Sequence, residues 1–186
     1  MRDGAAGRIR VIGGTLRNSR IEVADVAGLR PTPERVRETL FNWLAPTIEG
    51  ARCLDLCAGT GALGIEALSR GAGSAWFVEP NVAAAKVLRQ NLERLQVTAA
   101  QVTALDAQVF LRGAPQPMDL VFMDPPFALD LWTPLAERLE QGGWLAVGAT
   151  IYVECPRATS PELPLAWKLH RESVAGEVRF TLYRRR

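Results

Sequence analysis

Two rhythms of apolar residues take turns along this chain. Short apolar runs, Cys53-Leu54-Asp55-Leu56-Cys57, Ser74-Ala75-Trp76-Phe77-Val78, Gln101-Val102-Thr103-Ala104 and Val121-Phe122-Met123, have the length and composition of strands. Between them, apolar positions recur at helical spacing over Ala62 to Leu68, Val82 to Leu95, the short stretch Ala107 to Leu111, and Trp132 to Glu140. Strand followed by helix, repeated, predicts an α/β fold. Ahead of this series, Arg8 to Ile12 and Ile21 to Val23 alternate around Gly13-Gly14 as a short hairpin. A helix then opens at Arg30-Pro31-Thr32-Pro33, with Thr32 as its N-cap and Pro33 in the first helical position, where a missing N–H costs nothing. Val36, Leu40, Trp43 and Leu44 form its apolar face, Arg35 and Arg37 fall off that face, and Pro46 stops it. Behind the series, Thr150 to Glu154 reads as a strand, and Trp167 to Glu172 pairs with Val178 to Tyr183 about Ala175-Gly176 as an antiparallel hairpin. The span 143–150 carries no assignable pattern.

A length of 186 residues suits one domain with a real core, and 48% hydrophobic against 23% charged residues is ordinary globular composition. No apolar run approaches the roughly 20 residues of a membrane helix, and Met1-Arg2-Asp3-Gly4 lacks the apolar core of a signal peptide, so a cytoplasmic location is expected. Cys53, Cys57 and Cys155 form no C-x-x-C pair and read as small buried apolar residues. With one histidine, His170, neither a zinc site nor a His-based triad has the material it needs; no metal is expected. The net charge of +2 is unevenly spread: residues 1 to 37 hold eight arginines against four acids. A glycine-interrupted arm rich in Arg8, Arg10, Arg30, Arg35 and Arg37 suits phosphate contact, because the guanidinium fork pairs with phosphate oxygens and stacks on bases. The competing reading is a solvated surface in a chain that uses 20 arginines and two lysines, Lys86 and Lys168. Residues 1–30 are taken as this arm and 31–186 as the main domain.

Two stretches carry chemistry. In the first, the strand ending at Cys57 runs into Ala58-Gly59-Thr60-Gly61 and then a helix, with Glu79 closing the next strand 20 residues past Gly59. Glycines there let a ligand approach the backbone, and an acid at that strand end can bind both hydroxyls of a ribose. Gly59-Thr60-Gly61-Ala62-Leu63-Gly64 also satisfies the dinucleotide fingerprint, so a nicotinamide competes. Asp55, just before the turn, would repel a pyrophosphate and suits an amine-bearing ligand such as S-adenosylmethionine (AdoMet). Asp106, after the third strand, either accepts an adenine amino group or caps the short helix behind it.

The second stretch is Asp124-Pro125-Pro126-Phe127, at the end of a buried strand. The prolines fix a rim of acceptors with few competing donors, which suits an exocyclic amino group that gains positive charge on alkylation. Phe127 either stacks on the base or belongs to the core.

Asp55 to Gly61, Glu79, Asp106 and Asp124 to Phe127 together look like the ordered motifs of a Rossmann-like AdoMet-dependent methyltransferase acting on an amino nitrogen. Arg30-Pro31-Thr32-Pro33-Glu34-Arg35-Val36-Arg37-Glu38-Thr39-Leu40-Phe41-Asn42-Trp43-Leu44 and Gly61-Ala62-Leu63-Gly64-Ile65-Glu66-Ala67-Leu68-Ser69-Arg70-Gly71-Ala72 resemble the bacterial 16S ribosomal RNA guanine-N2 methyltransferase family more closely. The resemblance spans nearly the whole chain. It implies a seven-stranded, mostly parallel sheet with helices on both faces, a C-terminal antiparallel hairpin and a short N-terminal β-hairpin. It implies AdoMet held by Asp55, Ala58, Gly59, Gly61, Glu79, Asp106 and Asp124. It implies a guanine of 16S rRNA, naked or within a small-subunit particle, held by Asp124, Pro125, Pro126 and Phe127. Cys57-Ala58 departs from the bulky aromatic more usual in that family before alanine, a difference in packing beside the cofactor. A DNA adenine-N6 or protein glutamine methyltransferase, a non-catalytic RNA-binding module and a nicotinamide-dependent reductase stand as alternatives.

Overall fold

The computed structural model describes residues 7–186. Arg2 and Asp3 of the basic arm lie outside the described residues. In chain order the elements are β1 (Arg8–Arg10), β2 (Arg20–Glu22), α1 (Glu34–Leu44), β3 (Arg52–Asp55), α2 (Ala62–Ser69), β4 (Ser74–Val78), α3 (Val82–Arg94), β5 (Ala100–Thr103), α4 (Ala107–Phe110), β6 (Met118–Met123), α5 (Trp132–Gln141), β7 (Leu145–Pro156), β8 (Trp167–Ala175) and β9 (Val178–Arg185). β1 and β2 pair as a separate antiparallel hairpin, and the other seven strands form one sheet in the order β5-β4-β3-β6-β7-β9-β8. β9 runs antiparallel to both β7 and β8, closing the sheet with the expected hairpin. The strand order reverses between β3 and β6. In open α/β sheets that switch point leaves a crevice beyond the carboxyl ends of the strands, because the helices leaving β3 and β6 go to opposite faces.

Alternation along the strands feeds two cores. On one face Cys53, Phe77, Phe122 and Tyr152 pack with Val36, Leu40, Leu63 and Leu88 from α1, α2 and α3. On the other, Leu54, Val78, Val121, Met123 and Ile151 pack with Phe110 of α4 and Leu135 and Leu139 of α5. Two glycines set how closely α2 lies on the sheet and on α3. A Cβ on Gly64 would fall 2.3 Å from the Phe77 ring, and one on Gly61 would fall 2.3 Å from Leu88. No helix among the described residues is long and apolar enough to cross a membrane.

Three expectations are corrected. Thr32 does not cap α1: the cap position is Pro33, no side chain caps it, and the buried Thr32 hydroxyl donates instead to Glu154 Oε2 at 3.5 Å. Arg37 is not on an exposed face, being 2% exposed. Its guanidinium donates to the carbonyls of Thr32 (3.1 Å) and Arg10 (2.9 Å), and its Nη1 lies 3.7 Å from Glu66 Oε2. The unassigned span 143–150 holds the start of β7. There the register slips between Met118 and Leu120 of β6, Gly148 has φ 72° and Val147 faces solvent, so no alternation survives to be read.

The hairpin is fastened to the main sheet through one buried acid. Glu66 of α2, fully buried, accepts the amides of Ile12 and Gly13 at 2.9 Å each, and its Oε1 also accepts from Arg70 Nε at 2.9 Å. Asn91 of α3 adds a second tie, accepting from the Glu22 amide and donating to its carbonyl.

Candidate active site

The ladders of the central strands stop at one line. Asp55 of β3 is in register with Phe77 of β4 and Phe122 of β6, and Val78 is in register with Thr103 of β5. Residues at or just past these ends therefore rim the crevice, and the rim is acidic: Asp55, Glu79, Asp106 and Asp124.

Asp55 is buried and accepts from the Gly64 amide at 3.0 Å, a bond across the turn that fixes where α2 begins relative to β3. Burial pushes its carboxyl up to about 7, against the pull of the Gly64 bond and with a further push from Glu79. The turn itself needs two left-handed glycines, Gly59 at φ 55° and Gly61 at φ 79°, and Ala58 enters it by donating to the Val78 carbonyl. Glu79 holds the turn from the neighbouring strand: Oε2 accepts from the Gly59 amide at 2.7 Å and Oε1 from Asn81 at 3.0 Å. Each carboxylate oxygen keeps further acceptor capacity. Asp106 caps α4, its Oδ1 accepting from the Gln108 and Val109 amides at 2.8 and 3.2 Å, and the side chain stays exposed. The capping reading holds, and it leaves Oδ2 free of those bonds.

Asp124 differs from its neighbours. Among the described residues no donor reaches its carboxylate, and burial, then Glu154, then Asp55 hold its carboxyl well above the usual range. Pro125 and Pro126 carry no N–H, and Phe127 opens a 3-10 turn, Phe127–Leu129. Phe127 is 39% exposed and its ring centroid sits 5.8 Å from that of Trp132, so it is a rim residue and not a core one.

The sequence reading missed Glu154. It closes the apolar run Ile151-Tyr152-Val153 as Asp124 closes Val121-Phe122-Met123, and that parallel was the available signal. Of the proposed RNA contacts, Arg30 and Arg35 are exposed, with no acid partner among the described residues. Arg8 and Arg10 are half-exposed, paired with Glu22 and Glu34. Arg37 is removed from that set by its burial.

The four rim carboxylates fit a ligand that brings donors and no phosphate. AdoMet offers an ammonium, two ribose hydroxyls and an adenine amino group to acceptors of this kind, whereas a pyrophosphate brings only acceptors and negative charge to them. No group of three or more metal-ligating side chains occurs among the described residues.

A family model described as conserved hypothetical protein 95 matches residues 9–184. Ribosomal RNA small subunit methyltransferase D of Escherichia coli (strain K12) is 49% identical over 181 residues, 97% of this chain and 91% of that one. The Haemophilus influenzae protein of the same name is 40% identical over 184 residues, 96% and 95% of the two chains. A solved Escherichia coli structure superposes with a TM-score of 0.90 at 46% identity, covering 96% of this chain and 98% of that one.

Proposed function

Because this chain belongs to the conserved hypothetical protein 95 family, with ribosomal RNA small subunit methyltransferase D among its relatives, we propose that it is a cytoplasmic enzyme that methylates the exocyclic N2 of a guanine in 16S ribosomal RNA. Its methyl donor is AdoMet. The observation that carries the amino-directed reading is Asp124: an acceptor without a protein donor, on a rim stiffened by two prolines, with an exposed aromatic ring three residues on.

AdoMet supplies an activated methyl group on a sulfonium. Asp55 would take its ammonium, Glu79 its ribose hydroxyls and Asp106 its adenine amino group, while Ala58, Gly59 and Gly61 would present backbone without side-chain bulk. Asp124 and the Pro125 carbonyl accept the two N–H bonds of the guanine amino group and so aim its nitrogen. Pro126 keeps the rim from bending away, and Phe127 stacks on the extruded base. Asp124 would stabilise the positive charge that develops on the nitrogen as its bond to the methyl forms and the methyl–sulfur bond breaks to leave a neutral thioether, and the proton then leaves to water. Since the donor is already activated, most of the acceleration comes from positioning, for which about 7–11 kcal/mol is the ceiling.

Titrating AdoMet and NADH in parallel by calorimetry tests the cofactor assignment, with heat expected for AdoMet alone. In the same assay Glu79→Ala weakens AdoMet binding at least tenfold. The acid contributes charge-assisted bonds of about 1.5–3 kcal/mol each, and its loss also frees the Gly59 amide. An unchanged dissociation constant would reduce Glu79 to a support of the turn.

The basic face is tested with charge and not with truncation, since removing residues 1–20 would strip Glu66 of two amide donors. Arg30→Glu with Arg35→Glu leaves AdoMet binding intact and weakens rRNA binding. It flattens the log–log salt dependence by about 0.7–0.9 for each phosphate that the variant no longer neutralises. A full slope in the double variant would move RNA binding to Arg8, Arg10 or the Arg184-Arg185-Arg186 tail.

A further inference from the structure

Glu154 lies next to Asp124 across two parallel strands. β6 and β7 are in register through Phe122 with Tyr152 and Met123 with Val153, so the next residue on each, Asp124 and Glu154, are neighbours about one strand spacing, ~4.8 Å, apart. Alternation puts both on the face of Phe122 and Tyr152, which is also the face of Cys53 and therefore of Asp55. The crevice thus has a second carboxylate beside the one that aims the amino group, and the mechanism above does not use it.

The surroundings of Glu154 fix one oxygen and leave the other open. Oε2 accepts from the Tyr152 hydroxyl at 2.9 Å and from Thr32 Oγ1 at 3.5 Å, and Trp132 Nε1 donates to the Glu154 carbonyl at 2.8 Å. Oε1 takes no donor from the described residues, yet among those residues no buried side-chain oxygen is left without a partner, so Oε1 reaches solvent although the residue is only 7% exposed. Burial holds the Glu154 carboxyl above its usual range, against the pull of the Tyr152 and Thr32 hydroxyl bonds that fix Oε2. Glu154 therefore offers the crevice a single oriented acceptor.

A purine edge with two donors in a row matches two acceptors in a row. Guanine presents N1–H beside its N2 amino group, whereas adenine presents an N1 lone pair beside its N6 amino group. We propose that Glu154 is a specificity-determining residue: its Oε1 accepts the N1–H of the guanine whose amino group Asp124 holds, and it rejects purines that bring a lone pair to that place. The proposal rests on the guanine-N2 reading above. A buried acceptor left facing a lone pair is the arrangement that discriminates most strongly between analogues, because nothing else can satisfy it.

The test compares two RNAs that differ at the methylated position, one carrying guanine and the other 2-aminopurine, which keeps the exocyclic amino group but has a lone pair at N1. The full-length protein and its Glu154→Gln variant are assayed on both, and the ratio of kcat/KM values is read. Glutamine is nearly isosteric. Its carbonyl oxygen keeps the Tyr152 and Thr32 hydroxyls, and its amide N–H then occupies the place of Oε1 and donates to the N1 lone pair. The preference for guanine is expected to be strong in the wild type and to shrink at least tenfold in the variant. A support role for Glu154 would lower both rates by the same factor, and an unchanged ratio overturns the proposal. If Glu154→Gln does not fold, Glu154→Asp decides. Its shorter reach lowers the rate on guanine and spares 2-aminopurine, so the same narrowing is expected and a constant ratio again overturns it. Absence of N2-methylguanine from the wild-type reaction on the guanine RNA would sink the guanine reading and the role of Glu154 with it. Its presence with a constant ratio sinks only Glu154.

Discussion

Asp124→Ala is expected to lower turnover by about 10²–10³ while AdoMet affinity stays within a few-fold, the effect of removing one oriented group that stabilises developing charge. The asymmetry follows from the geometry. Asp124 makes no hydrogen bond within the described protein, so its loss leaves no structural donor unpaired, and it removes a half-buried carboxyl held well above its usual pKa by desolvation first, then by Glu154 and Asp55. The fold is therefore expected to survive the substitution. Single-turnover methylation and calorimetry on the same preparation separate the two effects. Turnover at wild-type rate would remove Asp124 from the chemistry, and a parallel loss of AdoMet binding would reassign it to the cofactor.

Glu66→Ala is expected to cost about 3–5 kcal/mol of stability, the usual penalty for leaving one partner of a buried ion pair behind. Four groups lose a partner at once: the Arg37 guanidinium, 2% exposed and 3.7 Å from the carboxylate, Arg70, and the Ile12 and Gly13 amides that hold the hairpin to α2. Urea unfolding reads this as a lower midpoint. Glu66→Gln keeps one carbonyl acceptor but not the charge, and falls between the two. A loss below about 1 kcal/mol for the alanine variant would mean that the hairpin rests on its apolar packing, Val11 and Ile21, and not on this acid.

Most of the fold was legible because its signals are local. The strand runs at 53, 74, 101 and 121 and the helices between them announce themselves by period, and Gly59 and Gly61 mark the turn, while the close packing of Gly64 on Phe77 and of Gly61 on Leu88 shows only in the structure. The acids Asp55, Glu79 and Asp124 were legible as ends of apolar runs. What was not legible depends on partners distant in sequence. Thr32 has the composition of a cap, but a buried carboxylate 122 residues away takes its hydroxyl. Arg37 sits off the apolar stripe of α1, yet Glu66 and two carbonyls give a guanidinium reason to be inside. The first half of β7 bulges away from β6, and a bulge destroys the alternation by which strands are read. Glu154 ends an apolar run as Asp124 does, but only the register of β6 with β7 brings it beside Asp124.

Nucleoside mass spectrometry of 16S rRNA tests the central claim most directly. Small-subunit RNA from cells lacking the protein is treated with AdoMet and the purified enzyme, digested and mapped. One N2-methylguanosine at a single position is predicted, absent before treatment and absent after treatment with Asp124→Ala. Methyl groups on adenine or on a base carbon, or no methylation of rRNA in either naked or particle-bound form, would contradict it.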